Sequence, residues 1–473
     1  MTDRRRIAAT SGRVLSGAIG IAVALVSVIA VGQLDLPVLA VDVPRTTVTP
    51  TASDQSRLCP GPLMRQGDDV ASAGAAAAFR KPGATIATDI PAEQTALTAP
   101  DNVTADQFGL PTVVSVASEP GEGTPLIAAA QSQPADLADL SGFAATACGE
   151  VSADSWLVGG STDVGRTSLL SLSNPTRADA IIDLTFYGET GEIAAPGARG
   201  IIVKAGEQRL YSLASFAPGV RTPVIRVQTT GGQVTAVLQQ SVVRGITPGG
   251  VELSSATAPP ATDQVISGLV LAASAPTGSG ETYDDALAAI RVFVPGTEPA
   301  EVTIEFASEQ GGDVPEPLTY DFEGGIVSEV TLSNLPTGSY AVSISSDLPV
   351  VAAARTTAAA GELTDFAWFG ASGPLTDDTA IAVAPGQGPR LHLFNPTSAD
   401  ADVVLTDRNG GDSTLTVPAG SAIDATVRPG MSYDVTGAEG IHAQVSYSGS
   451  TGFSAYAIQP ANPSATPVTI YPR

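Results

Sequence analysis

Lysine, histidine and cysteine are nearly absent from this sequence. Its 473 residues include two lysines, Lys81 and Lys204, two histidines, His392 and His442, and two cysteines. So few histidines and cysteines, with no H-E-x-x-H and no spaced Cys/His pattern, argue against a zinc site. The 23 basic residues face 48 acidic ones, and the formal charge of -25 repels phosphate backbones. We therefore expect no metal, no cofactor and no nucleic-acid partner.

The common catalytic signatures are missing as well. The sequence contains no G-x-S-x-G elbow, no S-x-x-K arrangement, no P-loop and no dinucleotide fingerprint. A glycosidase needs only two carboxylates, and these are often far apart in sequence. The number of acidic residues therefore neither supports nor excludes a glycosidase. We predict that the protein is not an enzyme, and hydrolysis of a glycan stays open as an alternative.

Aromatic residues are 5% of the chain and charged residues 15%, whereas there are 49 glycines and 36 prolines. This composition is typical of short strands joined by many turns and disfavours long amphipathic helices. The chain is also several times longer than a usual domain. We predict an all-β protein with several domains.

The one long apolar segment lies near the amino terminus. Residues 14–34 are uncharged, and a helix of that length spans a hydrocarbon core of about 30 Å. Arginines precede the segment, so the positive-inside rule places residues 1–13 in the cytoplasm and the main body outside the membrane. A cleaved signal peptide, with Val38 and Ala40 at its cleavage site, is the alternative.

Residues 35–58 are rich in Thr and Pro and predict an extended stalk. Beyond it, Cys59 and Cys148 both lie on the exported side, where two cysteines favour one disulfide; two free thiols are the alternative. Residues 59–153 do not follow the pattern of the rest of the chain. We expect a smaller N-terminal region there, closed by that bond.

The phrase "LSLSNPT" at Leu170 returns as "LHLFNPT" at Leu391. Around each copy, and around "IRVFVPGT" at Ile290, alternating strands are separated by proline and glycine turns over about 100 residues. We predict three tandem antiparallel, Ig-like β-sandwich repeats at residues 154–262, 263–363 and 364–473. The recurring Asn-Pro pair is interpreted as a turn, with a binding motif as the alternative.

A few residues are candidates for ligand contacts. Trp156 and Trp368 could face a sugar, although core packing is favoured for both. The segment "DRNGGD" at residues 407–412 resembles part of a calcium loop but fits a hairpin turn better. His392 and His442 lie on predicted strands of one repeat, where surface positions are favoured over a metal site.

The motifs "LCPGPL" at Leu58, "ATACGE", "DSWLVGGST" at Asp154 and "SLSNPT" together resemble an actinobacterial family of membrane-anchored secreted proteins of unknown function. The resemblance covers most of the chain and brings no catalytic residues. Genes of that family often lie near envelope glycosyltransferases, which implies a role in the cell envelope. We expect a single-pass membrane protein that scaffolds or binds an envelope protein or glycan; the alternative is an accessory subunit or enzyme of envelope glycan assembly or hydrolysis.

Overall fold

A computed structural model describes residues 46–48, 54–66, 76–118, 124–273, 284–312, 314–333, 335–360, 363–450, 452–460 and 468–470. The described residues divide into two units, one with residues 46–48 and 468–470 and the other within residues 51–466. In the first unit, β1 (Thr46–Val48) pairs antiparallel with β34 (Val468–Ile470). The predicted membrane segment 14–34 lies outside the described residues, within which no helix is long and apolar enough to cross a membrane.

The unit of residues 51–466 is all-β, as predicted, and its best-defined building block is a sandwich-like pair of sheets that we call module 1. Its strands are β10 (Asp154–Val158), β11 (Arg166–Asn174), β12 (Ala180–Gly188), β13 (Gly191–Ile193), β14 (Ile201–Val203), β15 (Glu207–Ser212), β16 (Val224–Gly231), β17 (Thr235–Arg244) and β18 (Thr247–Ser255). One sheet has the order β10-β16-β12-β13, with β14 also on β12, and the other has the order β15-β11-β17-β18. Every second residue of β12 is buried, which packs Ile182 and Phe186 against the facing sheet. A 3-10 turn, Leu213–Ser215, follows β15.

Module 2 has the same strand order. Its strands are β19 (Ala261–Leu271), β20 (Ala289–Phe293), β21 (Ala300–Ser308), β22 (Leu318–Phe322), β23 (Val327–Thr331), β24 (Gly338–Ala360) and β25 (Leu363–Gly370). The long strand β24 serves both sheets, because its first half pairs with β19 and β21 and its second half pairs with β20 and β25. The strand Leu363–Gly370, which the sequence analysis assigned to the start of the third repeat, is therefore the last strand of module 2.

Module 3 repeats the arrangement. Its strands are β26 (Thr379–Ala382), β27 (Arg390–Asn395), β28 (Ala401–Asp407), β29 (Asp412–Val417), β30 (Ser421–Thr426), β31 (Ser432–Thr436), β32 (His442–Gly449) and β33 (Gly452–Ala457). Its sheets have the orders β26-β31-β28-β29 and β30-β27-β32-β33. The strands of each module can be lettered a to h in chain order if β13 and β14 together count as strand d of module 1, and the two halves of β24 count as strands f and g of module 2. All three modules then have sheets a-f-c-d and e-b-g-h.

The N-terminal region follows the same order with fewer strands. It contains β2 (Gln55–Cys59), β3 (Met64–Gln66), β4 (Ala76–Ala78), β5 (Gly83–Ala87), β6 (Glu93–Ala96), the short helix α1 (Ala105–Phe108), β7 (Thr112–Val116), β8 (Ala128–Asp136) and β9 (Ser141–Ala147). Its sheets β2-β7-β6 and β5-β8-β9 match a-f-c and b-g-h, and β3 pairs with β4. The region is thus a reduced fourth copy, here called the N-terminal module, which the sequence pattern did not reveal.

The modules are joined by shared cores. One cluster combines Leu63 and Leu140 of the N-terminal module with Val251 of module 1, and another combines residues of modules 1 and 2. Phe453 of module 3 is buried with module 2, and Phe143 of the N-terminal module is buried with module 3. The contacts therefore run around a closed circle of four modules.

The repeated Asn-Pro-Thr phrase is a turn, as expected. Asn174 is fully buried; its Nδ2 donates to the carbonyl oxygens of Ala178 at 2.8 Å and Val203 at 3.0 Å, and its Oδ1 accepts the N–H and hydroxyl of Thr176. Asn395 makes the same set of bonds in module 3. Each asparagine thereby ties strand b of one sheet to strand d of the facing sheet, which leaves its amide no free capacity for a ligand.

Candidate functional site

The last strands of the four modules meet along one axis. β9 packs against β18, β18 against β25, β25 against β33, and β33 against β9. We call these four strands the axial ring. Each is paired in its sheet only with strand g of its own module, so its second edge is buried inside the ring. Buried strand edges need hydrogen-bond partners for their main-chain groups.

Asp365 supplies those partners near the N-terminal ends of the four strands of the axial ring. Its Oδ1 accepts the N–H groups of Val251 and Phe366, each at 3.0 Å, and its Oδ2 accepts those of Phe143 at 2.8 Å and Phe453 at 2.9 Å. The four donors occupy equivalent positions in the four strands. One carboxyl group therefore connects all four modules.

Glycine stands wherever the other three strands approach that carboxyl group. A Cβ atom added to Gly142, Gly250 or Gly452 would lie 2.6, 2.5 or 2.3 Å from an oxygen of Asp365. The strand beginnings "SGF", "GGV", "TDF" and "TGF" are thus one pattern, in which three glycines make room for a single aspartate.

A second carboxyl group, that of Glu252, lies one layer further along the axis. Its Oε1 accepts the hydroxyl of Ser454 at 3.0 Å, and the Oγ of Ser454 accepts the N–H of Ala145 at 2.8 Å. Complete burial raises the pKa of Glu252 well above its ordinary value, and the neighbouring Asp365 acts in the same direction. Burial also raises the pKa of Asp365 to about 8, against the lowering effect of its four N–H donors.

A cavity of about 450 Å³ lies at the other end of the axial ring. It is bordered by Ala147 and Ser255, the last residues of β9 and β18, and by Gly373 and Gln459, which follow β25 and β33. We call it the axial cavity. Its wall includes residues 149–156, which comprise the connection between the N-terminal module and module 1 and the first residues of β10. Its volume falls within the range of small-molecule sites.

The wall of the axial cavity is held in place by covalent and ionic bonds. The predicted disulfide between Cys59 and Cys148 is present in the structure and precedes the wall directly. Two residues on, the Glu150 carboxylate contacts a buried guanidinium nitrogen of Arg57 at 2.5 Å. Burial raises the pKa of Glu150, and Arg57 opposes that shift. This stretch of wall is therefore preformed.

Both tryptophans lie in the core between modules 1 and 2. Trp156 is 4% exposed and Trp368 is 3% exposed, and they share one buried cluster with Phe293. The indole N–H of Trp368 donates to Gln240 at 2.8 Å, and the guanidinium of Arg226 lies 5.2 Å from the Trp156 ring. Trp156 also borders the axial cavity. Neither ring presents an open face of the kind that stacks on a sugar.

His392 and His442 lie on β27 and β32, as predicted, but both are buried. His392 Nδ1 is 2.9 Å from each carboxylate oxygen of Glu309 in module 2, and its Nε2 is 2.7 Å from the Oγ of Ser446. This is the order of a hydrolytic triad. However, Ser446 is 3% exposed and His392 is fully buried between modules, so a substrate carbonyl has no path to the hydroxyl. The three side chains join modules 2 and 3. His442 is held by the carbonyl of Ser372, and burial lowers its pKa to about 4.

The acidic segment at residues 407–412 forms a turn, as expected. Asp407 Oδ1 accepts the N–H groups of Asn409 at 2.8 Å and Gly411 at 3.1 Å inside the β28–β29 hairpin. Asp285, near the start of β20, pairs with two arginines of module 1. The acidic segment just before it is only partly described, because residues 274–283 lie outside the described residues. No group of three or more His, Cys, Asp and Glu in the described part of the chain could hold a metal.

The "LCPGPL" motif is a wedge between the N-terminal module and module 1. Its extended main chain is held by glutamine amides: Gln131 exchanges two hydrogen bonds with Gly61, and Gln239 exchanges two with Met64 just beyond the motif. The motif is therefore explained by packing between modules.

Sequence reasoning missed Asp365 and Glu252. Both lie in apolar strands, and no motif marks them. One signal could have identified Asp365: the three equivalent strands have glycine at its position. That pattern can be recognised only when the fourth module and the correct end of module 2 are known.

These features define a class: an all-β assembly of sandwich-like modules around a buried polar axis, with one disulfide inside the N-terminal module. The chain belongs to the family described as "Family of unknown function (DUF5719)", whose model matches residues 103–428. That match includes three strands of the axial ring and both axial carboxyl groups. Comparison with curated proteins gives no match, and neither does comparison with solved structures.

Proposed function

We propose that the protein is a single-pass, membrane-anchored binding protein of the bacterial cell envelope, whose extracytoplasmic body offers the axial cavity to an envelope protein or glycan. The observation that carries the proposal is the axial cavity, a preformed space at the junction of several modules with a wall fixed by a disulfide and an ion pair. Cavities of this size at domain junctions are typical ligand sites. Export is supported by the disulfide, and anchoring by the apolar segment 14–34 behind its arginines.

We also propose that the modules are variants of the Ig-like sandwich. In modules 1 to 3, strands b and e are neighbours in one sheet and strands c and f are neighbours in the other, as in the central pairs of an Ig domain. The edges differ, because strand a lies beside f and strand g lies beside b.

The test combines location with site-specific crosslinking in the native envelope. A photo-crosslinking residue would be placed at Gln233, an exposed residue of the cavity lining, and in a control at Tyr320 on the surface of module 2. We expect the protein in the membrane fraction, its body accessible to external protease, and a crosslinked envelope component from position 233 only. A body that stays inside the cell contradicts the proposal, and so does an identical pattern from both positions.

A second candidate, hydrolysis of an envelope glycan, is favoured by one observation. Glu150 and Asp154 both line the axial cavity, and the pKa of Glu150 is raised, as in a general acid. The contact with Arg57 favours the ionised form of Glu150, which opposes that role and makes binding the better supported function. Release of sugar from cell-wall polysaccharide that is lost in both Glu150→Gln and Asp154→Asn would favour hydrolysis.

A further inference from the structure

The charged side chains in the lining of the axial cavity are both acidic. Glu150 and Asp154 are its charged members, and the lining contains no lysine, arginine or histidine. The remainder is mostly small residues such as alanine, glycine, serine and threonine. The arginines that pair with the two acids, Arg57 and Arg226, are not part of the lining.

Three of the five hydroxyl groups of the lining donate to the main chain. Thr235 Oγ1 donates to the carbonyl of Glu150 at 3.2 Å, Ser152 Oγ to that of Asp154 at 2.7 Å, and Thr257 Oγ1 to that of Trp156 at 3.3 Å. A hydroxyl has one hydrogen, so these groups face a ligand with oxygen lone pairs. Together with the two carboxylates, these three acceptors suit a ligand group that donates hydrogen bonds and is positively charged.

We propose that the axial cavity binds a small organic cation, a primary ammonium or guanidinium group on a compact apolar body. This inference rests on the proposed function, because it takes the axial cavity as the ligand site and names its ligand chemistry. The cation is either a free small molecule or the side chain of a lysine or arginine on a partner protein. Both sources present the same chemistry to Glu150 and Asp154.

The test uses three probes of similar shape and different charge on the purified full-length protein in detergent. Benzylamine is cationic at neutral pH, benzyl alcohol is neutral and benzoate is anionic. We expect benzylamine to bind with a Kd on the order of 1 mM or tighter, benzyl alcohol more weakly, and benzoate least. Calorimetry and ligand-observed NMR would measure the three affinities, and added salt should weaken the binding of benzylamine alone.

A capped Ala-Lys-Ala peptide that binds more tightly than benzylamine assigns the cation to a partner, and weaker binding assigns it to a free ligand.

Matched variants locate the binding. Asp154→Asn should weaken benzylamine about threefold, and Ser255→Phe should abolish binding of all three probes by filling the end of the axial cavity. Asp321→Asn, an exposed acid on module 2, should change nothing. Equal binding of benzoate and benzylamine overturns the cation assignment and leaves the axial cavity as a ligand site. Binding that survives Ser255→Phe, or binding of no probe, overturns both that site and its chemistry.

Discussion

One buried side chain, that of Asp365, bonds the main chains of the four axial strands. The buried edges of β9, β18, β25 and β33 expose main-chain N–H groups to one another, and the carboxyl group of Asp365 accepts four of them. A buried N–H group without a partner is costly, so the position tolerates few alternatives. Here a polar side chain completes the main-chain bonding that a further strand would normally supply.

Replacement of Asp365 by alanine should destabilise the whole body. Four N–H groups would lose their acceptor, at about 1 to 3 kcal/mol for each buried group, so we expect a loss of at least about 4 kcal/mol. Urea unfolding would measure the loss, with the exposed Asp321→Ala as control. A stability within about 1 kcal/mol of the parent would contradict the role of Asp365.

The two axial carboxyl groups should make stability depend on pH. The folded pKa of Asp365 is about 8, and that of Glu252 is well above its ordinary value, so between about pH 4 and pH 8 the folded state binds more protons than the unfolded state. The free energy of unfolding should therefore fall as the pH rises through this window. Above about pH 7.5, His442 adds little slope, because the imidazole is then almost entirely neutral in both states.

The variant Glu252→Gln isolates this effect. It removes one of the two titrating groups, so the decline from pH 6.5 to 8 should become shallower by up to about 1.4 kcal/mol per pH unit. Urea unfolding at several pH values would show this change, and Glu93→Gln on an exposed strand serves as control. Parallel curves for Glu252→Gln and the parent would refute the assignment.

Secondary-structure elements are joined by a few recurring polar side chains. The Asn-Pro-Thr turns bond strand b to strand d across the two sheets of modules 1 and 3, and glutamines of β8 and β17 bond the main chain of the LCPGPL wedge. The sequence indicated the turns, because proline and asparagine act locally. The glutamine bonds join residues 70 or more positions apart, so no local pattern contains them.

Loss of one such turn should cost more than an ordinary surface change. Asn395→Ala removes two donated and two accepted bonds at a fully buried position, and we expect the free energy of unfolding to fall by about 2 to 4 kcal/mol. Asn409→Ala, in the exposed β28–β29 hairpin, is the matched control and should stay within about 1 kcal/mol of the parent. Thermal and urea unfolding would compare the two.

The molecule as a whole is a closed circle of modules and not a row of independent repeats. Phe453 of module 3 is buried with module 2, and Phe143 of the N-terminal module is buried with module 3. The main cores of modules 2 and 3 each include residues of a neighbouring module, and a further cluster joins modules 1 and 2. The body should therefore unfold in one cooperative transition, with a calorimetric enthalpy equal to the van't Hoff enthalpy.

Scanning calorimetry of the full-length protein in detergent would test this cooperativity. A chain ending after Ser372, which lacks module 3, should show no native transition at all, because the cores on both sides of the gap lose their partner. Three or four separate transitions, or a stable truncated chain, would show that the modules fold independently.

The sequence by itself determined the all-β class, the internal repeat with its turns and the disulfide, because strand periodicity, proline and glycine turns and cysteine pairing act over short stretches or by residue type alone. Tertiary structure alone decided that β25 closes module 2, that residues 55–147 form a fourth copy, and that Asp365 and Glu252 share an axis. The physical reason is distance along the chain. Four strands separated by about 90 to 115 positions become neighbours only when all four modules pack, and the polarity of their shared axis is a property of that packing.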